Sequence, residues 1–150
     1  MKKRLFLFCF IIFMLAGLSL IAADRPNLSE GQTIYVSAYS HIYFGNREKP
    51  FLLTITLSIR NIDPTHRITI TEVDYYETQG RQLERFIDEP VVLDPLESLR
   101  YVIPEHDESG GSGANFIVKW TSDRLVNAPI VESVMIGTKN QQGISFTSQG

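Results

Sequence analysis

The chain has 150 residues, 43% of them hydrophobic and 21% charged, with 10 Gly, 7 Pro and a single Cys. That composition excludes a disordered tail, a collagen-like repeat and a multidomain enzyme. The formal charge is −3 with no cationic cluster past residue 4, which argues against sequence-independent binding to DNA, RNA or anionic lipid.

Lys2, Lys3 and Arg4 precede seventeen residues, 5–21, without a charge, and the small pair Ala22 and Ala23 follows. This layout predicts a signal peptide over residues 1–23, with Asp24 as the mature N-terminus and the protein in the periplasm or outside the cell. The alternative is a retained anchor over residues 5–21, because seventeen residues approach the roughly 20 that span a bilayer. Cys9 sits in the middle of the apolar run, a poor place for a lipid-modified cysteine. Removing 23 residues from 150 leaves 127, and losing three cations takes the formal charge from −3 to −6. The remaining domain, 24–150, is acidic and cysteine-free, so its core must stabilise it without disulfides.

Ile34, Val36 and Ala38 fit an opening strand. Leu53, Ile55, Leu57 and Ile59 alternate with Thr54, Thr56, Ser58 and Arg60, the clearest period of two in the chain. Ile68 and Ile70 begin a further strand in one phase, but Val73 and Tyr75 continue it in the other, so a β-bulge is expected near Thr71 and Glu72. Asp74, Tyr75, Tyr76 and Glu77 read as that strand entering a turn at Thr78-Gln79-Gly80. Residues 101–103 fit another strand. Phe116, Val118 and Trp120 share a face of the next, Val134 and Ile136 of the next, and Ile144 and Phe146 of a last short one. Turn chemistry separates these runs, and no segment after residue 24 shows helical apolar spacing. The expected fold is all-β: an antiparallel two-sheet sandwich, immunoglobulin-like in outline, of seven or eight strands and without the bridging cysteine pair.

Two stretches stand out as candidate binding elements. Tyr35, Tyr39, His41 and Tyr43 have odd numbers and would project from one face of an unbroken strand, a surface on which a sugar ring or a partner peptide could stack. Tyrosines also fill ordinary cross-strand positions. Glu105, His106, Asp107 and Glu108 lead into Ser109-Gly110-Gly111-Ser112-Gly113 and then Asn115, the longest loop candidate. A Gly/Ser composition lets backbone amides approach a partner and adds nothing to a core. The acids would favour a cationic partner surface, with binding that weakens as salt rises. A weak cation site on this loop is the alternative, although the acids do not follow calcium-loop spacing. The predicted binding residues are Tyr39, His41, Tyr43, Glu105, His106, Asp107, Glu108 and Asn115. No metal ligand set and no cofactor is expected, since His41, His66 and His106 lie at no local metal-site spacing.

At SAYSHIY, FLLTITLSIRNIDP, ITITEVDYYETQGR, GGSGANFIVKW and VMIGTKNQQGISF the chain closely resembles a family of exported bacterial proteins. That family, common in cyanobacteria and sulfur-metabolising proteobacteria, is known only as a domain of unknown function. The resemblance spans about residues 31–150. It implies an exported single-domain β-protein and brings no catalytic residues with it. More loosely, IRNIDP through VDYYETQG to LDPLES is similar to immunoglobulin-like domains of bacterial envelope proteins, although Thr-Gln-Gly replaces their acidic residue before Gly.

The functional expectation is a non-enzymatic binding or assembly module of the cell envelope. Its partner would be another envelope protein or a saccharide, not nucleic acid, and a membrane only if the N-terminal segment is retained. Two alternatives stay open: an enzyme with a site assembled across strands from His41, Arg60 and Asp74, and a metal-binding accessory protein using the loop from Glu105.

Overall fold

A computed structural model describes residues 28–45, 47–139 and 142–150, so the expected signal peptide and its cleavage site lie outside the described residues. In chain order the strands are β1 (Leu28–Ser37), β2 (His41–Phe44), β3 (Arg47–Leu52), β4 (Thr54–Arg60), β5 (Ile68–Tyr76), β6 (Gln82–Arg85), β7 (Val91–Leu93), β8 (Ser98–Ile103), β9 (Asn115–Asn127), β10 (Ile130–Lys139) and β11 (Gln142–Gln149). A single turn of 3-10 helix, Gly111–Gly113, precedes β9, and no α-helix occurs among the described residues.

Alternation along β4 sets the first sheet. Leu53, Ile55, Leu57 and Ile59 are fully buried, while Thr54, Thr56 and Ser58 are half-buried on the other face. Antiparallel neighbours extend this strand into a four-stranded sheet of order β11-β10-β4-β8. The second sheet runs β1-β9-β5-β6, with β7 also paired to β5, and is antiparallel throughout. Phe116, Val118 and Trp120 on β9 pack with Val36, Ile68, Ile70, Val73 and Tyr75 of this sheet. The same buried cluster takes in Leu53, Ile55, Leu57, Ile59, Ile103, Val131 and Met135 from the side of the first sheet. Buried Ser133 of β10 donates to the Ser37 carbonyl at the end of β1 (2.6 Å), tying the two sheets together at one edge. The outcome is an all-β, sandwich-like arrangement of antiparallel sheets that is not closed into a barrel.

The expected bulge is present. Ile70 pairs with Trp120 and Glu72 with Lys119, so Thr71 is the extra residue, and the phase change returns Val73 and Tyr75 to the core. The strand count differs from seven or eight. Eleven strands occur among the described residues because β3, β6 and β7 are short and lack a readable alternation. In addition, the opening strand does not run on through its aromatic residues. It stops at Ser37, and the chain resumes as β2, which forms a separate two-stranded sheet with β3.

Candidate functional site

The connector 38–40 decides where the aromatic residues go. Ala38 N donates to Ala114 O (2.8 Å), Ser40 N donates to Gly111 O (2.9 Å), and Leu53 N donates to Ser40 O (2.9 Å). These bonds pin the chain between the loop before β9 and the start of β4, then turn it into β2. Consequently Tyr35, Tyr39, His41 and Tyr43 do not form one row. Tyr35 is exposed on β1, and half-buried Tyr39 lies edge-on to Phe146 of β11, with ring centroids 5.8 Å apart. Only His41 and Tyr43 meet: His41 Nε2 is 3.2 Å from the Tyr43 hydroxyl and the rings are edge-on at 5.2 Å. His41 Nδ1 is buried with no protein partner among the described residues.

The loop from Glu105 is built, not free. Asp107 N donates to Pro104 O (3.0 Å) and Gly111 N donates to Glu108 O (3.1 Å). Asp107 Oδ1 accepts from Ser109 N (2.9 Å), so this carboxylate caps its own turn. Thr78, in the turn after β5, fastens the glycine tract: its N–H and its hydroxyl both donate to Gly110 O (3.0 Å each), and its Oγ1 accepts from Gly113 N (3.0 Å). Gly110 is buried beneath the Tyr75 hydroxyl, which is hydrogen-bonded to Ser40 Oγ (2.9 Å). Burial pushes the Tyr75 hydroxyl above the usual phenol range, only partly offset by the Ser40 bond. A Cβ at position 110 would collide with that hydroxyl and stand 2.8 Å from Ser40 Oγ. The glycine tract therefore does join the core, contrary to the composition-based expectation, and Ala114 is buried behind it. Gly110→Ala should lower stability by about 1 to 3 kcal/mol through overpacking. Thermal denaturation checks this, and an unchanged midpoint would mean that the Tyr75 hydroxyl is not seated on Gly110.

At Gly137 of β10 any side chain would run into the Phe51 ring and the Leu52 carbonyl, so the β2–β3 hairpin lies close against the end of β10. The hairpin, the acidic loop and β10 together enclose an open groove of about 280 Å³ lined by Pro50, Phe51, Leu52, Glu105, Glu108 and Thr138. Phe44 stands edge-on to Phe51 at 6.0 Å. The floor is apolar, and the rim carries two carboxylates. Such a site suits a cation attached to an apolar stem.

Of the predicted binding residues, Glu105 and Glu108 reach this groove, and His41 and Tyr43 belong to the hairpin that forms one wall. His106 is exposed but does not line the groove. Asp107 is turned to its own loop, and Asn115 is the first residue of β9, paired with Ser37 and Tyr76. Pro50, Phe51, Leu52 and Thr138 were not predicted. A proline inside a strand marks an edge, and that was the available signal for the β3 wall.

His41, Arg60 and Asp74 are not brought together. They lie in three different sheets and have separate partners. Buried Asp74 holds Arg85 in a two-pronged bond (both 2.9 Å), Arg60 pairs with Glu132 (3.1 Å), and His41 contacts Tyr43. One histidine does touch a carboxylate: His66 Nδ1 is 3.1 Å from Asp63 Oδ1. That carboxylate is already saturated by a turn, since it accepts from Thr65 N, Thr65 Oγ1 and His66 N on one oxygen and from Asn127 N and Nδ2 on the other. An acid-base partner needs a free lone pair facing a substrate, and Asp63 offers none. Among the described residues no three His, Cys, Asp or Glu side chains are grouped to hold a metal ion.

Fold and groove thus define a small antiparallel β-protein with an open acidic cleft at one end of its sandwich. The chain belongs to the family described as Protein of unknown function (DUF3124), whose match covers residues 31–150. Comparison with curated proteins and with solved structures found no match.

Proposed function

We propose that the protein is an exported, non-enzymatic binding module of the bacterial cell envelope, immunoglobulin-like in outline, that holds a cationic segment of another envelope protein in the groove beside Phe51. The observation that carries this reading is the convergence of Glu105 and Glu108 with Pro50, Phe51 and Leu52 in one cleft. Two further features support it: the export-type segment over residues 1–23, and a loop whose backbone is fixed by Thr78 at Gly110 and Gly113, so that less of the chain has to be ordered when a partner arrives. A preformed site loses less entropy on binding than a mobile one.

The test is calorimetric titration of the full chain with a short peptide alternating lysine and leucine. Binding is expected to weaken as ionic strength rises from about 0.05 M to about 0.5 M, because exposed charges are screened. The double variant Glu105→Gln/Glu108→Gln should bind several-fold more weakly at the same thermal midpoint, since exposed ion pairs contribute about 0.2 to 1 kcal/mol each. Binding that ignores the double substitution, or a preference for a neutral oligosaccharide over the cationic peptide, would overturn the reading.

A further inference from the structure

We propose that the free edge of β11 is a self-association surface, where two copies of this chain pair β11 antiparallel and join their four-stranded sheets into one of eight strands. β11 ends its sheet. It pairs with β10 in an unbroken register from Glu132 opposite Gln149 to Lys139 opposite Gln142, and among the described residues no strand is hydrogen-bonded to its other side, although Gly150 just beyond its end sits against Ile34 and Val36 of β1. The backbone along that side offers unpaired donors and acceptors, which natural proteins normally guard with charge, proline, a bulge or brevity.

The other open edges among the described strands carry such guards. β8 bears Arg100 and runs into Pro104, and β3 contains Glu48, Lys49 and Pro50. β1 carries Glu30 next to the irregular pairing at Gly31. β2 and β6 are four residues long, while β7 is a three-residue strand between Pro90 and Pro95. β11 is different. Its eight residues, Gln142–Gln149, include neither a charge nor a proline, and the strand is straight enough to keep one register throughout.

Charge also selects the occupant. In a two-fold antiparallel pairing a strand lies against itself, so any charge it carries faces or flanks its own copy. A strand without charges meets no such penalty. A foreign peptide added to a sheet edge is chosen through pockets for its alternate side chains, whereas β11 presents small, exposed residues there, Gly143, Ser145 and Thr147. On the outer face Thr147 pairs with Val134, Val134 with Thr56 and Thr56 with Val102, while Ile136 lies between Ser145 and Thr54. The charges of that face, Glu132, Arg100 and Arg60, lie in the rows at and beyond Gln149, and Glu132 is paired with Arg60.

The experiment is light scattering on the full chain in detergent across the micromolar range, with the thermal midpoint measured alongside. The protein should interconvert between one and two copies of its 17.0 kDa chain. Thr147→Lys should raise the dimer dissociation constant about tenfold or more by bringing like charges together across the two-fold axis, with an unchanged midpoint at dilutions where both proteins are single chains. Ser145→Lys should do the same and stands in if Thr147→Lys lowers the midpoint. Val102→Lys, on the opposite edge strand β8, should leave the dimer intact. The proposal is overturned if the wild type stays a single chain throughout, if both β11 variants dimerise like the wild type, or if Val102→Lys dissociates the dimer as strongly as they do.

Discussion

Trp120→Ala is expected to lower the unfolding free energy by about 3 to 5 kcal/mol. Trp120 is 1% exposed and sits on β9, a strand flanked on both sides within its sheet, opposite Gln32 of β1 and Ile70 of β5. Phe116 and Val118 fill the same face, so the cavity left by truncation could not be closed by a surface side chain moving in. The indole adds a second effect: Trp120 Nε1 is buried without a protein partner among the described residues. A donor stripped of water and left unbonded costs about 1 to 3 kcal/mol. Trp120→Phe removes that donor while keeping an aromatic ring, so it should cost far less than the alanine substitution, about 1 kcal/mol or below. Urea denaturation of the two variants separates the contributions. If alanine and phenylalanine cost the same, the ring volume is not what holds β9 in place. An alanine cost under about 1 kcal/mol would mean that the side chain is not in the core at all.

Trp120, β4 and the bulge at Thr71 were legible because each is written in a local period of two, and burial follows the period directly. The aromatic row failed for a reason that no local pattern carries. Odd numbering gives one face only while the strand is unbroken, and the bonds that break it come from Gly111 and Ala114, more than seventy residues away. The groove has the same character. Phe51 and Glu105 are separated by more than fifty residues, and they meet because Gly137 lets the hairpin approach β10. Composition also misread the glycine tract. Glycine is suited equally to a solvated loop and to a close contact, and only Tyr75 lying over Gly110 distinguishes the two. The turn from Asn61 to Pro64 was readable from its Asn, Asp and Pro, but its partners on β9 and beside β7 were not.

That turn should make the protein sensitive to acid. Asn61 donates its amide to the carbonyls of His66, Leu93 and Asp94 and accepts from Asp63 N (3.0 Å), so the Asp63 backbone is fixed before its side chain is considered. Asp63 itself is 4% exposed. The Thr65 N–H holds its carboxyl well below the usual carboxylate range, working against burial and assisted by the N–H groups of Asn127 and His66. A carboxylate depressed in this way contributes stability that is fully present above its ordinary value of 3.8. The contribution is lost as pH falls from there toward the folded-state value, because the unfolded chain then binds the proton that the folded chain refuses. Asp63→Ala should cost about 2 to 4 kcal/mol at neutral pH by stranding buried backbone donors on Thr65, His66 and Asn127. It should also remove this component of the acid sensitivity. Asp63→Asn keeps one acceptor but turns an amide toward the Asn127 donors, so it should recover part of the stability and none of the pH dependence. Denaturant titrations at pH 7, 5, 4 and 3 measure the gap between wild type and variants. The gap should be constant down to about pH 5 and then shrink. A gap that stays the same at pH 3 would show that the Asp63 carboxylate is not stabilised by these donors, and the anchoring of β9 to this turn would have to lie in packing instead.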